Sequence, residues 1–91
     1  MKTYIIERDI PGVGQLSPEQ LKGAASASNA ALAQLSPRVQ WLQSFVAKDK
    51  TFCLYLAEDE AVIHEHARLS GFPATRITEV AGKIDPTTAA A

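Results

Sequence analysis

Two helix-period stretches are set among four short β-rich runs, in the order strand, helix, strand, strand, helix, strand. That order constrains the fold more than any other feature of this 91-residue chain. Residues 3–8 (Thr-Tyr-Ile-Ile-Glu-Arg) are rich in β-formers and too short for a helix. The loop after them carries Pro11, Gly12 and Gly14. It lacks both the dinucleotide fingerprint and the Lys-Ser/Thr ending of a phosphate loop. Ser17-Pro18-Glu19-Gln20 is a sharp helix start, with a capping serine, proline at the first helical position and glutamine placed to close a capping box. Small or apolar residues then recur at Leu21, Ala24, Ala25, Ser28, Leu32 and Leu35, one face of a helix. Ser28 falls in mid-stripe, where its hydroxyl either bonds back to a helical carbonyl or faces a cavity.

Ser36-Pro37 ends that helix. Residues 38–47 and 51–57 read as two strands joined at Lys48-Asp49-Lys50, a hairpin signal. Glu58-Asp59-Glu60 opens a second helix, which runs to Leu69-Ser70 and stops at Gly71, with Pro73 just beyond. Residues 75–84 read as the last strand, in which Gly82 suggests a bulge or a close approach. The fold class expected is α+β, ferredoxin-like βαββαβ: a four-stranded antiparallel sheet with two helices on one face. One domain spans residues 1–87, and residues 88–91 form a tail.

The sheet's second face then needs an explanation. The second strand carries Val39, Trp41 and Phe45 on one parity and Leu42 and Val46 on the other. The third alternates Phe52, Leu54 and Leu56 with Cys53 and Tyr55. A sheet with one wet face alternates cleanly. The expectation is a homodimer packed sheet to sheet, an assembly of the dimeric α+β-barrel type. Composition supports it: 15 of the 42 apolar residues are alanine, six of them in the first helix, so much of the remaining bulk lies on strands.

Nine basic residues stand against ten acidic, a net charge of -1. That excludes an electrostatic nucleic-acid binder and gives no polybasic patch for anionic lipid. No apolar stretch approaches the ~18 residues of a membrane span. The start of the chain lacks a signal peptide's apolar segment. The expectation is a soluble cytoplasmic protein with no nucleic-acid or membrane partner. Its single cysteine, Cys53, allows no intramolecular disulfide.

His64-Glu65-His66 is the most informative local feature. The two histidines lie about 200° apart on a helix and cannot hold one ion together; helical metal pairs are spaced by three or four. Val62, Ile63, Ala67 and Ser70 surround the azimuth of His66, which therefore points inward. His64 lies opposite, near Glu60 and Arg68. An inward histidine needs a partner for each nitrogen. It serves either as a satisfied core residue or as a ligand or acid–base group in a pocket between helix and sheet. Cys53 is a companion if its strand parity faces the helices, and a small buried hydrophobe otherwise. Glu7 is the nearest carboxylate in prospect, or else a strand-end ion pair. Trp41, Tyr55 and Phe72 would wall a ligand pocket, or simply fill the core. No Ser-His-Asp order, paired-cysteine zinc spacing or aromatic–basic stripe is present, and no catalytic residue is assigned.

Several pieces together resemble a known family. They are Glu7-Arg8-Asp9-Ile10-Pro11-Gly12, Trp41 with Ser44-Phe45-Val46, Asp49-Lys50, Cys53-Leu54-Tyr55, His66-Ala67 with Gly71-Phe72-Pro73, and Ile84-Asp85-Pro86. The chain from Tyr4 to Thr87 resembles a family of small bacterial ferredoxin-like proteins of unknown function, whose described members are nickel-binding and nickel-responsive. The resemblance implies a βαββαβ protomer, a dimer and nickel as cofactor. The motif positions present are Glu7, Cys53 and His66. Gln43 departs from the pattern where a histidine is expected of the nickel-binding type. Imidazole suits nickel but also zinc and copper, so ligand type alone does not select the ion.

Two functions are therefore expected to compete. The first is a non-catalytic homodimer that binds a divalent transition metal through His66, with Cys53, Glu7 and His64 as further ligands. The second is a small enzyme of the dimeric α+β-barrel kind, a cofactor-poor monooxygenase or isomerase, with a small-molecule ligand between sheet and helices. That second expectation is fold-level analogy.

Overall fold

The computed structural model describes residues 1–90. Strands β1 (Lys2–Asp9), β2 (Val39–Val46), β3 (Lys50–Ala57) and β4 (Arg76–Glu79) form one antiparallel sheet in the order β2-β3-β1-β4. Helices α1 (Pro18–Leu35) and α2 (Glu60–Ser70) complete the βαββαβ order. The expected α+β class and topology are therefore found. A 3-10 turn, Val13–Gln15, follows β1, and a second, Pro86–Ala90, runs from the end of the domain into the expected tail. The last residue of that tail, 91, lies outside the described residues.

The helix ends form where the sequence places them, and for the reasons expected. Ser17 Oγ accepts from Gln20 N at 3.2 Å while Gln20 Oε1 accepts from Ser17 N at 2.9 Å, closing the capping box. Asp59 Oδ1 accepts from Val62 N at 3.0 Å and caps α2. Gly71 ends α2 at φ 80°, a left-handed conformation that costs a side-chain-bearing residue.

The core lies between sheet and helices. Tyr4 and Ile6 of β1, Cys53 and Tyr55 of β3, and Val62 and Ile63 of α2 are buried together there. Their parity fixes the two sheet faces. Glu7, Ile5 and Thr3 pair with Phe52, Leu54 and Leu56 on the outer face. Phe45 pairs with Phe52 on that face too. Outer-face Leu42 is 51% and Phe45 58% exposed, and Phe52 also reaches solvent. A groove there runs between Ile5, Leu42 and Leu54 and the segment from Val80 to Ile84.

Two sequence expectations are corrected. The last strand ends at Glu79, not at residue 84. Tyr4 stands opposite Glu79, so Ala81 would already face Lys2, where β1 begins. Gly82 and Ile84 have no strand to pair with. Gly82 is therefore no bulge, and a Cβ there would meet nothing within 4 Å. The bulge is in β2 instead. Trp41 pairs with Tyr55 and Gln43 with Leu54, so Leu42 is the extra residue. It reverses the parity of the strand, and Phe45 faces away from Val39 and Trp41 rather than with them.

Candidate functional site

Arg8 is the residue around which the interior is organised. It follows Tyr4 and Ile6 on the inner parity of β1 and is only 3% exposed. Its Nη1 donates to the carbonyls of Phe72 at 3.4 Å and Pro73 at 2.9 Å, in the segment after α2. Its Nη2 donates to the Tyr55 hydroxyl at 3.4 Å and to His66 Nδ1 at 3.5 Å. The guanidinium also lies over the Tyr55 ring, 5.8 Å from its centroid. The sequence pattern does not single out Arg8 as a site residue. Its alternation with Tyr4 and Ile6 was the available signal.

His66 is 1% exposed and sits where its helix azimuth predicts, on the inner side of α2. Its second nitrogen, Nε2, meets Ser28 Oγ at 3.2 Å. Of the two readings for Ser28, the hydroxyl facing inward is the one found. Arginine has no acceptor, so Nδ1 must carry the lone pair toward Arg8. The ring proton then sits on Nε2 and is donated to Ser28. Burial, then the charge of Arg8, push the His66 pKa down to about 4, opposed by a hydrogen bond at Ser28. The imidazole is neutral at physiological pH. Burial likewise pushes the Tyr55 phenol up, against the opposing pull of Arg8.

This polar group lies beside a half-open cleft of about 290 Å³ between sheet, α1 and the loop after β1. The small residues Ala24, Ala25 and Ser28 on α1 leave the space. Trp41, Tyr55 and Phe72, expected as pocket walls, all line it, as do Arg8 and Cys53. The loop wall is fixed by the β2–β3 hairpin. Ile10 N donates to Asp49 O at 3.0 Å, Gly12 N to Asp49 Oδ1 at 2.9 Å and Gly14 N to Lys48 O at 2.9 Å. Gly14 is required there, because a Cβ would stand 2.8 Å from the carbonyl oxygen of Ala47.

The expected metal donors are distributed differently. Cys53 faces the helices, as the ligand reading required, and its Sγ lies 3.5 Å from Thr51 Oγ1. Glu7 is on the opposite face of the sheet, paired with Lys50 at 3.4 Å. His64 is exposed on the outer side of α2. Among the described residues no three His, Cys, Asp or Glu side chains converge to hold an ion. His66 has both nitrogens engaged and a guanidinium beside it, which repels a cation. The residues of one chain's interior therefore do not fit a nickel site.

Sheet order, helix placement and a cleft against the inner face define a small ferredoxin-like α+β protein with an interior ligand-sized pocket. Comparison with known families adds a second step. The family described as "Nickel responsive protein SCO4226-like" matches residues 4–80, and the chain belongs to it. The crystal structure of SCO4226 from Streptomyces coelicolor A3(2) is similar in fold, with a TM-score of 0.70 and 23% identity over 90% of this chain and 99% of that one. No curated protein matches the sequence.

Proposed function

We propose that this chain is a homodimeric, non-catalytic binding protein that takes part in a response to a divalent transition metal, nickel first. The family description supports the metal. The observation that carries the dimer is the apolar outer sheet face, where Leu42, Phe45 and Phe52 are exposed while both helices cover the opposite face. Such a patch favours a partner, and a second copy presents the same surface. Ile84, 85% exposed beside that face, adds to it. Light scattering at micromolar concentration is expected to give twice the chain mass, and Phe45→Glu the single mass. A monomeric wild type refutes the pairing.

For the ion, His64 is the better candidate ligand, with Glu60 one turn earlier on the same exposed side of α2. Two protein donors leave positions for water and predict weak, exchangeable binding. His66 with Cys53 is the competing assignment. Calorimetric titration and elemental analysis of untagged protein separate them: His64→Ala is expected to lose nickel uptake and His66→Gln to retain it. No uptake by the wild type refutes metal binding. The reading includes a cytoplasmic location; no helix among the described residues is long and apolar enough to cross a membrane.

The interior cleft favours a second reading, a small pocket enzyme. The hydrogen bonding counts against acid–base work by His66. In a nucleophilic serine site the base accepts the serine proton and a carboxylate steadies the imidazolium that forms. Here Nε2 already bears the proton, and a guanidinium opposes a second one.

A further inference from the structure

We infer that the interior cleft is a binding site for a small amphipathic carboxylate, held by Arg8 through its charge and by the apolar walls through its body. Arg8 is almost fully buried, and all four of its hydrogen bonds fall on neutral groups: two carbonyls, a phenol and an imidazole. Among the described residues it makes no ion pair; the carboxylates of Glu7 and Asp9 on either side in β1 pair with Lys50 instead. Buried charges are ordinarily paired, because an uncompensated one is costly. This one lines a cleft, so a ligand can supply the missing negative charge.

The walls set the rest of the ligand. Val13 and Leu16 from the loop, Ala24 and Ala25 from α1, and Trp41 and Phe72 present almost only carbon. Leu21 and Val46, two of the exposed large apolar side chains, also line the cleft and leave greasy surface for a ligand body to cover. One guanidinium with neutral neighbours balances one negative charge, not a phosphate dianion's two. Its four Nη hydrogens are taken by those four bonds, which leaves Nε–H as the donor for one carboxylate oxygen and the guanidinium charge for the rest. The volume is near the lower end for small-molecule sites, which fits an aromatic or medium-chain acid. This site is separate from the proposed surface metal ligand, so each can fail without the other.

Three isosteres test it: 3-phenylpropionate, 3-phenylpropanol and 3-phenylpropylamine, titrated against untagged protein with chelator present. Trp41 is the chain's one tryptophan and lines the cleft, so its fluorescence reports binding; calorimetry provides a second readout. The acid is expected to bind at least tenfold more tightly than the alcohol, and the amine not at all. Arg8→Met should remove that preference. Ala25→Phe fills the cleft without touching the polar group and should abolish acid binding while the circular dichroism stays native. Should Arg8→Met not fold, Ala25→Phe and the acid–alcohol comparison decide. Equal affinity for acid and alcohol, unchanged binding in Ala25→Phe, or no binding of the acid at millimolar concentration each overturns the inference.

Discussion

Lowering the pH from 7 toward 4 should destabilise this protein through one buried imidazole. His66 is neutral in the folded chain down to about pH 4, whereas the same group in an unfolded chain takes a proton near 6.5. Between those values only the unfolded state binds the proton. Stability contributed by the neutral imidazole is therefore full above about pH 6.5 and is lost as the pH falls toward 4. The whole window is worth roughly 3 kcal/mol, of which about 2 kcal/mol is gone between pH 7 and pH 4.5. Other groups titrate in the same range, so the measurement is a difference. Urea unfolding of the wild type and of His66→Gln, at one fixed protein concentration, cancels their contribution. Glutamine can accept from Arg8 and donate to Ser28 without titrating. The wild type should lose about 2 kcal/mol more than the variant over that drop. Proton NMR in a His64→Gln background follows the remaining ring directly and should place its titration near 4. Parallel stability curves, or a ring titrating near 6.5, would refute the claim that burial and Arg8 hold it neutral.

Three further outcomes follow from the packing. Gly14→Ala drives a methyl against the Ala47 carbonyl and should cost about 1–3 kcal/mol in urea unfolding, with altered Trp41 fluorescence as the cleft wall shifts. Gly71→Ala forces a side chain into a left-handed conformation at the end of α2 and should lower stability by about 1 kcal/mol. Ile63→Ala empties a site 1% exposed between α2 and the sheet, and should cost about 2–5 kcal/mol by the same measurement.

The parts of this fold that were legible in the sequence are those fixed by local chemistry. The capping box at Ser17, the cap at Asp59 and the stop at Gly71 need only neighbouring residues, and each formed as read. The azimuths of His64 and His66 follow from helical geometry alone, and His64 is exposed while His66 is buried as that geometry requires. What was not legible depends on a partner elsewhere in the chain. The length of β4 is decided by where β1 starts, information that residues 75 to 84 do not contain. The extra residue at Leu42 is visible only in the pairing with β3, and without it Phe45 was set on the wrong face. Glu7 and Cys53 shared a family motif but not a face of the sheet, because parity within each strand had not been tied to one register. Arg8 was missed for a different reason. A charged residue on an inner parity reads as an error in the pattern until its four acceptors, spread over β3, α2 and the following loop, are seen together.

The bulge at Leu42 lets β2 carry one more residue on the outer face without turning the rest of the strand over. Before it, Trp41 faces the cleft; after it, Ser44 and Val46 do, while Gln43 and Phe45 look outward. Deleting that one residue would leave every other β2 side chain on its present face, whereas pairing Leu42 in regular register, with no bulge, would turn the far half of the strand over and place Phe45 inside and Ser44 outside. In that regular register both the ligand wall and the pairing surface would change at once. In a lineage that keeps this fold, a single-codon deletion at Leu42 would thus spare the cleft wall and trim only the apolar outer face.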